Sequence, residues 1–348
     1  MFPLKDNLIV FEGSGQYEND RDLLTLFTEV KKNYPNYECI YICDEDEDLM
    51  EEDEVLLNSE NHIRMLARAK YLFVCGDSLP FFSKRPNQIY VQTLSATFLN
   101  KTFLDDPYIE QIDKKKIKQQ VKHWDYLVSP NRYASRCLRS AYGYNGQVLE
   151  LGLPRNQHLH HVSEDEVFEY LYKHQVDPNV DKAILYVAAE SSTNESKQLD
   201  WELLESTPGI KTYIYSKNFD VEKMIKYHQY ESIVKVQDLQ ELMELFIISD
   251  LLVSDYSSKI FEYLVVDKPI VLLPRFLQAH IKTQQLYMDY NLLPAEQIDD
   301  TNRLIEIAQN LNSYKAVWAE ELMEFRNQMV LEKEARASSL ILKEVLKK

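Results

Sequence analysis

Residues 246–274 decide the fold, and they read Phe-Ile-Ile-Ser-Asp-Leu-Leu-Val-Ser-Asp-Tyr-Ser-Ser-Lys-Ile-Phe-Glu-Tyr-Leu-Val-Val-Asp-Lys-Pro-Ile-Val-Leu-Leu-Pro. The mostly apolar run over 250–254 is typical of a buried strand in a parallel sheet. Apolar residues then recur at helical spacing, at Ile260, Phe261, Leu264 and Val265. Lys268-Pro269 ends this helix, and a second strand follows over 270–273. The stretch therefore predicts strand, turn, helix and strand.

The turn of this stretch, Asp255-Tyr256-Ser257-Ser258, is placed where the helix begins. Free backbone N–H groups and the positive end of the helix dipole point to such a turn, and two serine hydroxyls add further donors. We therefore predict a phosphate site formed by Asp255, Ser257 and Ser258. The alternative, that Asp255 or Ser257 only caps the helix, is equally compatible with the sequence.

Strands alternate with helices along the whole chain, which predicts an α/β protein with parallel sheets and right-handed crossovers. The loop Gly13-Ser14-Gly15 follows the first strand but lacks the third glycine of a dinucleotide-binding turn, so we predict no cofactor. We expect an N-terminal domain over 1–155 and a C-terminal domain over 156–312. Residues 313–348 read as one long amphipathic helix that packs back across both domains.

The composition limits the possible partners of this 348-residue chain. Its 39 basic and 56 acidic residues give a net charge of −17, which argues against a nucleic-acid partner. Part of the excess is the run Asp44 to Glu54, where a solvated loop is favoured over a cation site. The four cysteines show no spacing typical of metal ligands, and we expect buried free thiols and no metal site.

The sequence contains no signal peptide and no apolar run long enough to span a bilayer, so we expect a cytoplasmic protein. One basic cluster stands out, formed by Lys114, Lys115, Lys116, Lys118 and Lys122. It is interpreted either as a contact with an anionic membrane or phosphate polymer, or as a solvated helix face. The His158-Leu159-His160-His161 run has no further ligand at zinc spacing and is interpreted as an exposed linker.

The opening stretch carries a family resemblance. Asp255-Tyr256-Ser257-Ser258, followed by Phe261-Glu262 and by 267–270 (Asp-Lys-Pro-Ile), resembles the C-terminal signature of the CDP-glycerol glycerophosphotransferases, the teichoic-acid primases and polymerases of Gram-positive bacteria. Three further segments are similar to elements of that family and occur in the same order: 7–17, 66–74 and Gly152-Leu153-Pro154-Arg155-Asn156.

The resemblance implies a GT-B fold, in which two Rossmann-like domains face each other across a cleft. It implies that the N-terminal domain lies on the acceptor side and that the C-terminal domain binds the donor nucleotide. It implies that Ser257 and Ser258 hold the phosphates of a CDP-linked polyol donor, and that Thr97, Arg155, Asn156 and Glu262 line the cleft. The implied acceptor is a hydroxyl of a lipid-linked saccharide or a teichoic-acid chain. Such a protein would work in the cytoplasm, at the inner face of the membrane.

Three departures from the family pattern leave its activity open. The family's Trp-His-Gly-Thr, whose histidine is held to be the catalytic base, is replaced by 94–97 (Leu-Ser-Ala-Thr), with Ser95 at the histidine position. A serine cannot take that proton at neutral pH, so no base is assigned. An expected arginine is absent over 188–192, and a second histidine element is replaced by 216–218.

We therefore carry three function classes forward. The first is an active transferase of polyol phosphate, and the second is a catalytically degenerate member that binds nucleotide or scaffolds a partner enzyme. The third is a GT-B glycosyltransferase that uses a nucleotide sugar, since that reaction needs only the fold and the phosphate site.

Overall fold

The computed structural model describes residues 2–13, 17–43, 54–77, 79, 82–94, 96–188, 199–216, 220–274, 277–283 and 285–346. Contacts divide the chain into two compact units. The N-terminal domain comprises Met1–Ala96, Thr102–Gln157 and Leu331–Lys348, and the C-terminal domain comprises Thr97–Lys101 and His158–Val330. The division after Gln157 lies two residues beyond the predicted boundary at 155/156.

Seven strands of the described N-terminal domain form one sheet. They are β1 Lys5–Glu12, β2 Glu38–Cys43, β3 Glu54–Leu56, β4 Ala69–Val74, β5 Ile89–Gln92, β6 Tyr126–Ser129 and β7 Gln147–Glu150. The sheet order is β3-β2-β1-β4-β5-β6-β7, and every pairing is parallel. In register, Val10 of β1 lies between Ile40 of β2 and Leu72 of β4.

Four helices connect these strands: α1 Tyr17–Asn33, α2 Glu60–Arg68, α3 Gln111–Gln120 and α4 Arg132–Tyr142. Short 3-10 helices lie at Phe103–Asp105, Val121–His123 and Pro154–His160. The ends of α4 carry the residue types that usually cap helices. The side chain of Asn131 accepts a hydrogen bond from the backbone N–H of Ala134 at 2.7 Å, and Gly143 ends α4 in the left-handed conformation.

Six strands of the described C-terminal domain form the second sheet: β8 Lys182–Val187, β9 Ile210–Tyr215, β10 Ile233–Lys235, β11 Leu251–Ser254, β12 Ile270–Leu272 and β13 Glu296–Gln297. Their order is β10-β9-β8-β11-β12-β13, again with every pairing parallel. Relative to chain order, both sheets begin 3-2-1-4-5-6, which is the Rossmann arrangement. The prediction of two parallel α/β domains is therefore confirmed.

The helices of the C-terminal domain are α5 Glu164–Lys173, α6 Trp201–Ser206, α7 Val221–His228, α8 Leu239–Ile248, α9 Lys259–Tyr263, α10 Leu277–Thr283, α11 Thr301–Gln309 and α12 Leu311–Met329. Further 3-10 helices lie at Leu264–Val266 and Tyr290–Leu292. The sequence pattern predicts one helix over 278–290 and another over 295–311, and both predictions are wrong. α10 ends at Thr283, and the second range contains β13 followed by α11.

The single terminal helix expected over 313–348 is also wrong. α12 ends at Met329, a 3-10 turn covers Glu332–Arg336, and a separate helix, α13, runs over Ala337–Val345. Ala337, Ile341, Leu342 and Val345 of α13 are buried in the core of the N-terminal domain, whereas Leu311 and Tyr314 of α12 belong to the core of the C-terminal domain.

The side chain of Glu334 fixes the turn between these two helices. It is 3 % exposed, and its carboxylate accepts hydrogen bonds from the backbone N–H of Leu153 at 2.8 Å and from the Asn156 amide at 3.3 Å. Gly152 lies directly against it. A side-chain carbon added at Gly152 would lie 2.7 Å from Cα of Glu334, which is inside van der Waals contact.

We predict that Gly152→Ala destabilises the N-terminal domain more than Gly143→Ala. Both glycines have positive φ, of 90° and 63°, so alanine at Gly143 should cost about 1 kcal/mol of backbone strain. At Gly152 the overlap with Glu334 adds to the strain, and we expect a loss of more than about 2 kcal/mol. Urea unfolding of both variants measures the difference, and equal losses would contradict this account of the close approach.

Candidate functional site

The turn at 255–258 lies at the carboxyl end of β11, next to β8. In an open parallel sheet of this order, the direction of strand succession reverses between the first and fourth strands, here β8 and β11. Loops at the carboxyl ends of these two strands diverge and leave a crevice, which is where such sheets bind ligands. The sequence therefore places Asp255, Ser257 and Ser258 at the position in this domain that the topology favours for a ligand.

The three predicted phosphate residues have different environments. Asp255 is fully buried, and its Oδ1 accepts from the backbone N–H of Tyr256 at 2.5 Å. Ser257 is 8 % exposed, and its Oγ accepts from the backbone N–H of Lys259 at 3.3 Å. Ser258 is the N-cap residue of α9, but its side chain makes no capping hydrogen bond. Helix capping therefore explains little of why two serines occur here, because the hydrogen bond from the Lys259 N–H to Ser257 is long and Ser258 makes no capping bond.

A segment from an earlier part of the chain holds this turn in place. We call residues 97–101 the strap. The backbone N–H of Leu99 donates to Oγ of Ser258 at 3.1 Å, and the Asn100 amide donates to the carbonyl of Tyr256 at 2.9 Å. On its other side the strap pairs with 285–287, where Tyr287 N–H donates to the Leu99 carbonyl at 2.9 Å.

His280 of α10 completes this arrangement. Its Nε2 lies 2.8 Å from Oδ1 of Asn100, and its ring stacks on Tyr256 with centroids 3.8 Å apart and an interplanar angle of 12°. Since Asn100 Oδ1 is an acceptor, the imidazole carries its proton on Nε2. The Tyr290 hydroxyl donates to the carbonyl of Asp255 at 2.5 Å. Two carbonyls of the turn are thus fixed by the side chains of Asn100 and Tyr290, and the Tyr256 ring is held by His280.

The electrostatics of this cluster keep its aromatic groups neutral. Burial raises the pKa of Tyr256 and of Tyr290, and the neighbouring Asp255 raises both further. Burial lowers the pKa of His280, which favours the neutral imidazole. The cation nearest along the chain is Lys259, the first residue of α9.

Lys259 and Glu262 form an ion pair on the first turn of α9. The Lys259 ammonium lies 3.0 Å from Oε1 of Glu262, and the Glu262 side chain is only 7 % exposed. This pair places a lysine directly after the serine pair in the chain. Glu262, a predicted cleft residue, therefore positions Lys259.

Lys268, another residue of the signature, has a structural role. Its ammonium donates to the carbonyls of Ile247 and of Ser249, the latter at 2.8 Å, and so satisfies the C-terminal end of α8. Burial lowers the pKa of Lys268 to about 8, while Asp250 acts in the opposite direction. The signature thus combines the serine turn predicted to bind phosphate with a structural lysine.

The other predicted cleft residues are buried. The guanidinium of Arg155 pairs with the carboxylate of Asp22, which also accepts the Arg155 backbone N–H at 2.8 Å. Asn156 donates to Glu334, and both residues belong to the N-terminal domain. Thr97 is 5 % exposed and begins the strap. The structure brings Thr97 and Glu262 into the same domain as the serine turn, and keeps Arg155 and Asn156 in the other.

The positions where the sequence departs from the family lie largely outside the described residues. Ser95 is one of them, as are Lys217, Asn218 and the segment 189–192. The histidines at 158, 160 and 161 are alternatives for the missing base, and all three are described. Nε2 of His158 lies 3.1 Å from the Tyr170 hydroxyl, and the rings of His160 and His161 lie 6.5 Å apart. A catalytic base therefore stays unassigned.

Three residues of this cluster were not identified from the sequence: Asn100, Lys259 and His280. Asn100 lies more than a hundred residues from its partners, and no local pattern marks it. Lys259 was readable in principle, because a cation directly after two serines at a helix start suits an anion. No local pattern marks His280 either, because its partners Asn100 and Tyr256 come from other segments of the chain.

Two features are absent from the described residues. No helix there combines the length and the apolar character needed to cross a membrane. No group of three or more His, Cys, Asp and Glu side chains in the same residues is arranged to hold a metal ion. All four cysteines are described and buried as free thiols, as the sequence predicted.

Two parallel Rossmann-type sheets, with a serine turn at the crevice of the second, define a protein of the GT-B class. Residues 1–347 match the family model described as CDP-Glycerol:Poly(glycerophosphate) glycerophosphotransferase, and the chain belongs to that family. The resemblance inferred from the sequence is therefore confirmed.

Relatives of known name agree with this assignment. The chain is 27% identical to a teichoic acid poly(glycerol phosphate) polymerase of Bacillus spizizenii, over 99% of this chain and 93% of that protein. It is 25% identical to a polymerase of the same name from Staphylococcus epidermidis, over 97% of this chain but only 50% of that one. The chain thus spans nearly all of one relative and about half of the other.

Solved structures agree on the fold. The wall teichoic acid polymerase TagF superposes with a TM-score of 0.85 at 24% identity, covering 99% of this chain and 89% of that chain. A UDP-GlcNAc 2-epimerase from Neisseria meningitidis, bound to UDP-GlcNAc, superposes with a TM-score of 0.60 at 14% identity, covering 98% and 100%. The GT-B type predicted from the sequence is confirmed by these matches.

We predict that acidification destabilises the C-terminal domain through His280. Because burial lowers the pKa of the folded imidazole, the unfolded chain takes up a proton first as pH falls below about 6.5. Wild type should therefore lose stability relative to His280→Phe, which keeps the stacking surface and does not titrate.

The measurement is urea unfolding of both proteins at several values between pH 7.5 and 5. The difference in unfolding free energy, wild type minus variant, should fall as pH falls. A difference independent of pH, or one that grows on acidification, would contradict the burial of a neutral His280.

Proposed function

We propose that this protein is a polyol-phosphate transferase of teichoic-acid synthesis. It moves glycerol phosphate, or a related polyol phosphate, from a CDP-linked donor to a hydroxyl of a lipid-linked saccharide or growing teichoic-acid chain. The observation that carries the proposal is the Ser257-Ser258 turn at the crevice of a Rossmann sheet, in a chain that belongs to this family.

In this proposal the turn holds the donor's pyrophosphate. The hydroxyls of Ser257 and Ser258 donate to phosphate oxygens, and Ser258 does so while its oxygen accepts the N–H of Leu99. The backbone N–H groups at the start of α9 and the ammonium of Lys259 add positive potential. Asp255, buried beneath, shapes the turn and does not contact the ligand.

The same proposal places the protein in a Gram-positive bacterium, at the inner face of its cell membrane. This part is supported by the Bacillus and Staphylococcus origin of the relatives and by the five lysines at 114–122. Such lysines attract anionic lipid at about 1 kcal/mol each when they lie near the surface. Of the predicted cleft residues, Thr97 and Glu262 act by positioning within the C-terminal domain, whereas Arg155 and Asn156 pair with Asp22 and Glu334 in the N-terminal domain.

A second candidate is a family member with little or no catalysis, which binds the nucleotide and assists a partner enzyme. It is favoured by Ser95 at the family's histidine position and by the altered segments 188–192 and 216–218. The donor site is common to both candidates, whereas turnover separates them.

We predict that Ser257→Ala with Ser258→Ala removes the thermal shift that CDP-glycerol gives the wild-type protein. A ligand that binds only the folded state raises its stability by RT ln(1 + [L]/Kd), so lost affinity appears directly as a lost shift. The unliganded protein should lose only about 1 kcal/mol, chiefly from the Leu99 bond to Ser258.

Ser249→Ala is the matched control for this experiment. Ser249 is also buried in the C-terminal domain and hydrogen-bonded, to the Tyr263 hydroxyl at 3.1 Å, but it lies outside the turn. This variant should keep the ligand shift. If UDP-sugars and not CDP-glycerol shift the wild type, the donor class proposed here is wrong.

We predict that the unmodified protein releases CMP from CDP-glycerol slowly, and that Leu94→Trp, Ser95→His and Ala96→Gly together accelerate it. The triple change restores the residues that the family has at 94–96, and a general base contributes about 10²- to 10⁴-fold to a rate. CMP release is measured with a soluble or lipid-linked acceptor.

The matched control carries Leu94→Trp and Ala96→Gly without the histidine, and it should stay slow. Rapid release by the unmodified protein would show that another group takes the proton. Release by neither protein, with donor binding intact, would favour the nucleotide-binding partner.

A further inference from the structure

The strap, residues 97–101, belongs to a different domain from the chain on either side of it. All of its residues are part of the C-terminal domain, whereas the chain up to Ala96 and again from Thr102 is part of the N-terminal domain. The side chain of Leu99 is fully buried. A short segment that follows an N-terminal strand thus forms part of the C-terminal domain, at its serine turn.

Backbone hydrogen bonds attach the strap to the C-terminal domain. The N–H of Lys101 donates to the carbonyl of Gln285 at 2.7 Å, and the N–H of Tyr287 donates to the carbonyl of Leu99 at 2.9 Å. These two bonds pair the strap with 285–287 in a fixed register. The N–H of Leu99 and the side chain of Asn100 can therefore meet the serine turn in only one way.

The chain on both sides of the strap is fixed in the N-terminal domain. Leu94 packs on the core of that domain, and its N–H donates to Oε1 of Gln92 at 2.9 Å. On the other side, Phe103 packs against Tyr142 with ring centroids 4.4 Å apart. Phe103 has φ of 53°, a left-handed backbone that residues other than glycine seldom adopt. Because these two anchors are close in the chain, the strap cannot shift without moving the residues next to it.

The strength of the bond between the strap and Ser258 depends on the serine hydroxyl. Its oxygen accepts the N–H of Leu99 at 3.1 Å, which leaves the O–H to donate to another acceptor. A hydroxyl that donates to an anion becomes a stronger acceptor itself, because hydrogen bonds in a chain polarise one another. A phosphate oxygen bound by Ser258 would therefore also strengthen the bond to Leu99.

Asn100 acts on the neighbouring peptide of the turn. Its amide N–H donates to the carbonyl of Tyr256 at 2.9 Å. This carbonyl shares its peptide unit with the N–H of Ser257, and a bond to the oxygen makes that N–H a stronger donor. Nε2 of His280 lies 2.8 Å from Oδ1 of Asn100 and keeps the amide in this orientation. Both contacts of the strap thus strengthen donors that the turn offers to an anion.

We propose that the strap couples ligand binding at the serine turn to the chain that follows β5, with Leu99, Asn100 and His280 as positioning residues. A phosphate on the turn strengthens the bonds of the strap, and the strap then holds the residues on either side of it in place. The coupling is reciprocal, so weakening the strap lowers the affinity of the turn. This inference rests on the proposed function only for the identity of the ligand.

The first test is hydrogen exchange of the full chain, with and without CDP-glycerol or inorganic pyrophosphate. A ligand on the turn should slow exchange over 255–262, and it should also slow exchange over 97–101 by about twofold or more, because a strengthened hydrogen bond opens less often. In the Asn100→Ala protein the ligand should slow exchange at the turn and have a smaller effect on the strap.

Two serine variants test the contact without any ligand. Ser258→Ala removes the acceptor of the Leu99 N–H and should speed exchange over 97–101 by about fivefold, the effect of one lost hydrogen bond. Ser257→Ala is the matched control, since its hydroxyl accepts from the N–H of Lys259 instead. That control should leave exchange of the strap unchanged.

Titration calorimetry with pyrophosphate tests the reverse direction of the coupling. Asn100→Ala should weaken binding by about fivefold or more. His280→Phe keeps the ring against Tyr256 and loses the bond to Asn100, so it should weaken binding in the same direction; this variant carries the test if Asn100→Ala does not fold. The matched control is Asn310→Ala, which removes an amide bond to the carbonyl of Glu306 in the same domain and should change affinity by less than about twofold.

Three results would overturn the coupling. The first is a ligand that slows exchange over 255–262 and leaves 97–101 unchanged, and the second is a ligand effect at neither segment. The third is equal pyrophosphate affinity in wild type, Asn100→Ala and His280→Phe. If pyrophosphate slows exchange at both segments and CDP-glycerol at neither, the coupling stands and the donor proposed above is wrong.

Discussion

The parallel direction of the strands is the constraint on which the rest of this structure depends. Every pairing among the thirteen strands of the described residues is parallel, so each loop that follows a strand emerges at the same edge of its sheet. Reversal of the strand order then opens that edge at one point in each domain. The serine turn follows β11 at one of these points, and Glu12 ends β1 at the other.

The parallel strands do not determine the shape of each loop. Long-range hydrogen bonds determine that shape. The strap ties Leu99 to Ser258 and Asn100 to Tyr256, across about 160 residues of sequence. These contacts fix carbonyl and hydroxyl oxygens while leaving the serine O–H groups available as donors. In the N-terminal domain, His62 fixes Glu12 in a comparable way from fifty residues away. Rigid support of this kind is what a ligand site needs.

The sequence predicts the structure correctly where the signal is local. The strand, turn and helix of the opening stretch fall within a residue of their predicted positions, because buried strands and an amphipathic helix carry clear periodicity. Two short strands were not predicted from the sequence. β3 and β13 have three and two residues and lie at sheet edges, where no run is long enough to show a period.

The break between α12 and α13 was missed for a different reason. No glycine or proline marks it, and helical spacing continues through it. The chain turns there because the buried carboxylate of Glu334 accepts the N–H of Leu153, about 180 residues earlier. The strap and His280 share this property, since their roles exist only once distant segments meet. The serine pair could be predicted from the sequence because its function follows from its place at a helix start.

The most direct test of the central claim is a crystal structure of the protein with CDP-glycerol bound. This account predicts density for the pyrophosphate against Ser257 and Ser258, within hydrogen-bonding distance of both hydroxyls and close to the ammonium of Lys259. Pyrophosphate bound elsewhere on the protein, with nothing at the serine turn, would contradict it.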